Sequence, residues 1–210
     1  MSTCLESQEK TTEQSLEEDL ELVNQIASAF NNPFDALKCF CVGMDGKNLK
    51  LFLYQYVEEH DSWSSEVRDA LSHAPDPAKL VLDAMPGFLR QQAEFHKSLS
   101  IKKVRKGCIL LLEQLMSMSP QISPDVREKA LELADEWGSN LGQIYQPPIT
   151  VYGFLLFVAA YGFKSKYEAE ELLRLLGIAS QYKTTFGLCR ALGLADKAQG
   201  EKIQNWQIFS

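Results

Sequence analysis

Three histidines are the first candidates for acid–base or metal chemistry, because an imidazole can exchange protons near neutral pH or bind a metal. They are His60, His73 and His96. None belongs to an HExxH or Glu-x-x-His motif, which would place two ligands on one face of a helix. Glu94 precedes His96 by two residues, so the two side chains point in different directions on a helix. The histidine spacing therefore predicts no helical metal site.

The cysteines could in principle form disulfides, bind a metal or act as nucleophiles. Their number is odd and no two form a CxxC pair: Cys4, Cys39, Cys41, Cys108 and Cys189. A chain long enough for an ordinary core has no need of a disulfide framework. Cys39 and Cys41 are two residues apart, so on a helix they cannot hold one metal together. We expect buried free thiols in a reducing compartment.

The segment from Gly43 to Asn48 superficially resembles a phosphate-binding loop. Such a loop needs four residues between its glycines and a serine or threonine directly after its lysine. Here two residues separate Gly43 from Gly46, and asparagine follows Lys47. The pattern instead predicts a helix ended by Gly43 and a second helix capped by Asp45.

Signatures of an enzyme are otherwise missing from the sequence, which has no nucleophile elbow and no dinucleotide-binding motif. A site assembled from distant residues leaves no linear signature, so an enzyme with such a site stays as an alternative. We predict no catalytic, cofactor-binding or metal-binding residue and no cofactor. The prediction is a protein without enzymatic activity.

One basic cluster has two interpretations. It consists of Lys102, Lys103, Arg105 and Lys106, just before a strongly apolar stretch. As a functional element it would be a nuclear-import signal or a contact for an acidic partner. As a structural element it would be the solvated start of a helix whose apolar part follows, and this interpretation is favoured.

The composition limits the classes of protein to which the chain can belong. It has 210 residues, of which 45% are hydrophobic, and a net charge of −7 from 28 acidic and 21 basic residues. Nucleic-acid binding needs a concentrated positive face, so no direct nucleic-acid binding is expected. The N-terminus lacks the pattern of a signal peptide, and the longest apolar run, Val151 to Phe163, is too short to cross a bilayer. We expect a soluble intracellular protein that does not engage a membrane.

The elements that would position these residues are all helical. Apolar residues recur every three to four positions, and strand-like alternation and Asn-Gly hairpin signals are missing. A capping residue followed by proline predicts three helix starts: Asn32-Pro33, Asp76-Pro77 and Ser123-Pro124. The sequence therefore predicts an all-α fold with one compact multi-helix domain. Its predicted parts are a disordered tail (1–13), an amphipathic helix (14–34), a helical domain (35–197) and a C-terminal tail (198–210).

The N-terminal helix has an apolar stripe that needs a cover. The stripe residues recur at alternating steps of four and three: Leu16, Leu20, Val23, Ala27 and Phe30. This spacing is typical of a coiled-coil seam, but it covers barely two heptads. A helix packed on its own domain would show the same stripe, so the cover is either a partner or the domain itself.

Five blocks of the chain occur in the same order as in a known family. They are Leu37 through Lys47, Ala74 through Ala84, Ser123-Pro124-Asp125-Val126 with Trp137, Tyr161-Gly162-Phe163, and Leu188 through Lys197. Over residues of about 35–197 the chain resembles the plant FRIGIDA and FRIGIDA-like proteins. Two features differ from the family pattern: members have longer flanks before this region, and they continue into further helices after Asp196-Lys197.

The resemblance implies a nuclear plant protein with an α-helical central domain. It also implies a scaffold for transcriptional or chromatin regulators, a family role best known from delaying flowering. The family offers no catalytic residues to assign here, and its partners would be other proteins. A helical interaction module with no flowering role is the alternative.

Overall fold

A computed structural model describes residues 18–56, 60–88, 100–141 and 146–200. Every regular element in these four ranges is a helix, so the predicted all-α fold is confirmed. The chain divides into two compact units, residues 1–115 and residues 116–210. The tail predicted for 1–13 lies outside the described residues, and the last helix runs to Gly200, past the predicted boundary at 197.

The described part of the first unit is helical, and its last helix continues to Met118, past the unit boundary at residue 115. Residues 18–28 form α1. The others are α2 (Pro33–Val42), α3 (Gly46–Tyr56), α4 (His60–Ser72), α5 (Pro77–Ala84) and α6 (Ile101–Met118). Helix α2 packs on α3 and α4, and α3 also packs on α5.

Two of these helices begin at the caps that the sequence predicts. The Asn32 side chain accepts a hydrogen bond from the Phe34 backbone N–H at 3.0 Å, at the start of α2. The Asp76 carboxylate accepts one from the Lys79 N–H at 2.8 Å, at the start of α5. In both cases proline takes the first turn, where no helical hydrogen bond is lost.

The connection from α2 to α3 is a helix end followed directly by a new cap. Gly43 is the C-cap of α2, as predicted, but it has a right-handed φ of −73°. The left-handed residue is Met44, with φ of 55°, and the Asp45 N–H then bonds to the Phe40 carbonyl. Asp45 in turn accepts a hydrogen bond from the Asn48 N–H at 3.0 Å. This segment is a tight helix-to-helix turn stabilised by hydrogen bonds, as the sequence predicts.

Gly46 allows the start of α3 to touch the backbone of α5. A Cβ atom at this position would lie 2.8 Å from the Leu80 carbonyl oxygen and 2.9 Å from the Ala84 nitrogen. Real Cβ atoms do not approach backbone so closely, so a side chain here would push the two helices apart. Gly46 therefore has a packing role in the place where a phosphate-binding loop would need a glycine.

Aromatic rings fill much of the interior of the first unit. Trp63 of α4 lies 4.8 Å from Phe34, 5.9 Å from Phe52 and 4.7 Å from Tyr56, measured between ring centroids. Phe52 also lies 5.7 Å from Phe40. These side chains come from α2, α3 and α4, so one cluster holds the three helices together.

In the second unit, α8 (Pro148–Ala160) is the central helix. Every residue from Thr150 to Val158 is buried. Around it lie α7 (Pro124–Leu141), α9 (Ala169–Ala179) and α10 (Thr185–Ala191), and α10 also packs on α11 (Ala195–Gly200). No helix in the described ranges combines the length and the apolar character needed to span a lipid bilayer.

Candidate partner-binding surfaces

Most of the cysteine thiols are buried and protonated. Burial raises the pKa of the Cys41 thiol to about 12 and that of Cys108 to about 11, and it also raises the pKa of Cys189. Cys39 is exposed, and Cys4 lies outside the described residues. A protonated thiol is a poor nucleophile and a poor metal ligand, so Cys41 and Cys108 serve as small apolar core residues.

The histidines do not come together with other metal-binding side chains in the described ranges. No group of three or more His, Cys, Asp or Glu residues is placed to hold a metal ion there. His73 uses its Nδ1 atom for a hydrogen bond with the Asp69 carbonyl at 2.7 Å, one turn earlier in α4. His96 lies outside the described residues, so its part of the prediction stays open.

The N-terminal stripe has both buried and exposed members. Val23 is fully buried, Leu20 and Ala27 are half-buried, and Phe30 is 37% exposed. Leu16 lies outside the described residues. Two polar contacts attach α1 to α3: an ion pair between Lys47 and Asp19 at 2.6 Å, and a hydrogen bond from Gln55 to Asn24 at 2.7 Å. Helix α1 thus packs on its own unit through Val23, and Phe30 stays accessible to another protein.

The basic cluster does not form one accessible patch. Arg105 is only 8% exposed, and its Nε atom donates a hydrogen bond to the Phe88 carbonyl at 3.0 Å. Burial lowers the pKa of the Arg105 guanidinium. Lys102 is exposed, whereas Lys103 and Lys106 are half-buried. Lysines are therefore the only members of this cluster, within the described residues, that a receptor could reach.

Sequence patterns gave no signal for a third surface, which lies on α10. We define the α10 face by four exposed residues: Lys183, Phe186, Gly187 and Arg190. Phe186 is 52% exposed, and the Arg190 guanidinium lies 5.2 Å from its ring centroid. The helix is short and apolar, with Leu188 and Cys189 buried, so the sequence resembles that of a core element. Because the helix is mostly apolar, its sequence gives no indication that the Phe186 side chain is exposed.

Arg127 of α7 binds the C-terminal end of α8. Its Nη1 atom donates a hydrogen bond to the Tyr161 carbonyl at 3.0 Å, and Nη2 donates one to the Gly162 carbonyl at 3.3 Å. The guanidinium also lies 5.0 Å from the Phe163 ring centroid. Gly162 has a φ of +72°, a left-handed conformation that favours glycine. A cation at the C-terminus of a helix also interacts favourably with the helix dipole.

Comparison with known proteins decides the family. The family described as Frigida-like protein matches residues 31–202, which is most of the chain. The chain belongs to the Frigida-like family. This confirms the resemblance found in the sequence, and the match extends a few residues beyond 35–197 at both ends.

Curated relatives of this Frigida-like chain come from Arabidopsis thaliana. "Truncated FRIGIDA-like protein 1" is 30% identical over 80% of the chain and 58% of its own length. "FRIGIDA-like protein 1" is 29% identical over 80% of the chain and 34% of its own length. "Protein FRIGIDA" is 26% identical over 76% of the chain and 28% of its own length. The chain thus spans between about a quarter and three fifths of these relatives, and no solved structure matches it.

The blocks that the chain shares with the Frigida-like family have structural roles in this fold. Asp76 caps α5, Trp137 is fully buried, and Gly193 ends α10 with a φ of +74°. Arg127 directly follows the third block and contacts all three residues of the fourth. These positions maintain the fold.

Proposed function

We propose that this chain is a non-enzymatic adaptor that assembles transcriptional or chromatin regulators in the plant nucleus, as part of flowering-time control. The observation that carries the proposal is its membership of the Frigida-like family over residues 31–202. The family name links the chain to flowering regulation, and an adaptor would use surfaces rather than a reaction centre.

The roles of the polar and apolar side chains support an adaptor. Two buried polar side chains take part in packing: Arg105 bonds to the Phe88 carbonyl, and Thr185 donates to the Ala179 carbonyl at 2.9 Å. Large apolar side chains remain exposed in each unit: Leu22, Phe30 and Val42 in the first, and Ile178 and Phe186 in the second. Single exposed apolar residues are ordinary, but they are the anchors that protein interfaces use.

The N-terminal stripe is the proposed partner element of the first unit. Val23 anchors α1 to its own unit, while Phe30 and the half-buried Leu20 and Ala27 are available for contact with another chain. Leu16 would extend the same stripe. An amphipathic helix laid against a partner uses this spacing of contacts.

A helical interaction module without a flowering role is the second candidate. The length of the matched region favours this candidate, because the chain spans only 34% of "FRIGIDA-like protein 1" and 28% of "Protein FRIGIDA". Activities that reside in the rest of those proteins would not come with this region.

Proximity labelling in plant cells tests the proposal. The chain is fused to a labelling enzyme and to a fluorescent protein large enough to prevent passive entry into the nucleus. We expect nuclear fluorescence and enrichment of transcriptional or chromatin regulators over the fusion partner alone. A Val23→Asp variant, which places a charge in the core, should lose that enrichment. Cytoplasmic fluorescence, or labelling equal to that of the fusion partner alone, would contradict the proposal.

A further inference from the structure

The α10 face combines an accessible aromatic ring with positive charge. Phe186, Gly187 and Arg190 are spaced so that they share one side of the helix, and Lys183 lies in the turn before it. Arg190 stacks on the Phe186 ring, which holds the ring in place while leaving half of it exposed. An aromatic side chain held by a cation is pre-organised for contact, because little rotamer freedom is left to lose on binding.

The charge on this face is opposite to that of the chain. The sequence contains no Asp or Glu between positions 172 and 195, although the whole chain has a net charge of −7. Within the described residues, Lys183 and Arg190 form no ion pair with a carboxylate. The nearest upstream carboxylate, Glu171, is held by two hydrogen bonds from Arg174. The face therefore offers two positive charges to a ligand that brings carboxylates.

Gly187 allows close approach to the backbone of α10. A Cβ built at this position meets nothing within 4 Å, so packing within the chain does not require glycine here. Glycine inside a helix is less favourable than alanine, because its backbone loses more conformational freedom on folding. The chain bears this cost at the position next to Phe186, whose side chain is 52% exposed.

We propose that the α10 face docks an acidic amphipathic helix of a partner protein. An apolar side chain of the partner helix packs on the Phe186 ring, and Gly187 lets that helix come close to the backbone of α10. Carboxylates on either side of this apolar residue pair with Lys183 and Arg190. The inference rests on the proposed adaptor function and names the chemistry of one partner.

Fluorescence anisotropy with synthetic peptides tests this proposal on the purified 210-residue chain. The probe is a labelled 15-residue helical peptide with leucines on one face and flanking glutamates, and its counterpart has lysines in place of the glutamates. We expect the acidic peptide to bind at least tenfold more tightly than the basic one. Raising the salt concentration should weaken this binding several-fold, because exposed charges are screened. Equal binding of both peptides, or no binding of the acidic peptide, would overturn the proposal.

Variants of the α10 face localise the binding. Phe186→Ala and Lys183→Glu should each weaken binding of the acidic peptide about tenfold. Lys129→Glu makes the same charge change on an exposed position of α7 and should leave affinity within twofold. Unchanged affinity in Lys183→Glu, or an equal loss in Lys129→Glu, would overturn the proposal.

Two further measurements separate the other occupants. A large drop in melting temperature for Phe186→Ala would show that the Phe186 ring packs against this chain itself. The ring would then not be available to a partner, and the proposal would be wrong. Light scattering measures whether the chain forms a dimer. A dimer that Lys183→Glu dissociates would assign the α10 face to a second copy of the chain, and the proposed docking of a partner helix would be wrong. Failure of the α10 face is distinguishable from failure of the adaptor function, because proximity labelling in the nucleus would then persist in Lys183→Glu.

Discussion

Arg127 donates a hydrogen bond from Nη1 to the backbone carbonyl of Tyr161, across 34 positions of sequence and from one helix to the end of another. The same guanidinium reaches Gly162 and stacks on Phe163. A single side chain on α7 thereby satisfies carbonyl groups that the end of α8 leaves without helical partners.

Replacing Arg127 should therefore destabilise the second unit. We expect Arg127→Ala to lower the free energy of unfolding by about 1–2 kcal/mol, since charge-assisted hydrogen bonds and a cation–π contact are lost. Arg127→Lys should recover only part of this, because an ammonium group cannot form the paired fork. Urea unfolding measures both. Lys129→Ala, two residues further along α7, is the control and should change stability little; an equal loss there would contradict the prediction.

Two glycines should respond in opposite ways to alanine. Gly46→Ala places a methyl group 2.8 Å from the Leu80 carbonyl oxygen, so we expect a loss of about 1–3 kcal/mol from overpacking. Gly187→Ala meets nothing within 4 Å and should gain about 0.5–1 kcal/mol from helix propensity. Thermal melts of the two variants side by side check both signs. Stability unchanged in Gly46→Ala would show that α3 and α5 can separate without cost.

Local signals in the sequence were sufficient to predict several helix boundaries. Asn32 and Asp76 bond to backbone groups two and three residues away, so the pattern that predicts each cap also contains its partner. Arg105 is different, because its acceptor is the Phe88 carbonyl, 17 positions earlier. Nothing within the basic cluster distinguishes it from Lys102, and only packing buries one and exposes the other.

The candidate surfaces were harder to predict for the same reason. Periodicity places Val23 and Phe30 in one stripe, yet one is fully buried and the other is 37% exposed. Phe186 lies in an apolar helix, and its exposure depends on how α10 packs on α8 and α9. Side-chain type sets what a residue can contact, and the tertiary arrangement decides whether another protein can reach it.

The buried thiols should make the free energy of unfolding depend on pH in the alkaline range. A free thiol loses its proton near pH 8.5, whereas burial raises the pKa of Cys108 to about 11 and that of Cys41 to about 12. The folded chain binds these protons more tightly, so the stabilisation is complete below about pH 8.5. It is lost as the pH rises towards 11 and 12. Urea unfolding between pH 8 and 10.5 measures the free energy of unfolding. This free energy should fall more steeply with pH in the wild type than in the double variant Cys41→Ala/Cys108→Ala.

Thiol reactivity gives an independent check of the same burial. In a Cys4→Ser background at pH 8, Ellman's reagent should modify Cys39 rapidly and the three buried cysteines only after unfolding. Rapid modification of Cys41 or Cys108 in the folded chain would contradict the proposed protection.

The two sides of α1 should differ in their effect on stability. Val23→Ala removes fully buried methyl groups and should cost about 1–3 kcal/mol. Leu22→Glu changes a side chain that is 45% exposed and should leave the melting temperature nearly unchanged. Phe30 lies just beyond the end of α1, and Phe30→Glu should leave stability similar and reduce proximity labelling if the N-terminal stripe contacts a partner. Labelling equal to wild type in both Phe30→Glu and Leu22→Glu would remove α1 from the proposed interface.

The basic cluster can be tested without disturbing its buried member. Changing Lys102, Lys103 and Lys106 to glutamine while keeping Arg105 removes the accessible charge and preserves the bond to Phe88. If the cluster directs nuclear import, a large fluorescent fusion should become cytoplasmic. Unchanged nuclear fluorescence would make these lysines a solvated helix start, and circular dichroism of the triple variant should match wild type.

The contact of Gly46 with α5 also has a consequence for how sequences of this family can diverge. Because the clash that a side chain would cause is with backbone atoms, no compensating change in a neighbouring side chain can relieve it. Chains that keep this helix pair should retain glycine at position 46 whatever protein they bind. Position 187 has no such constraint from its own fold, so it is free to change as partners change.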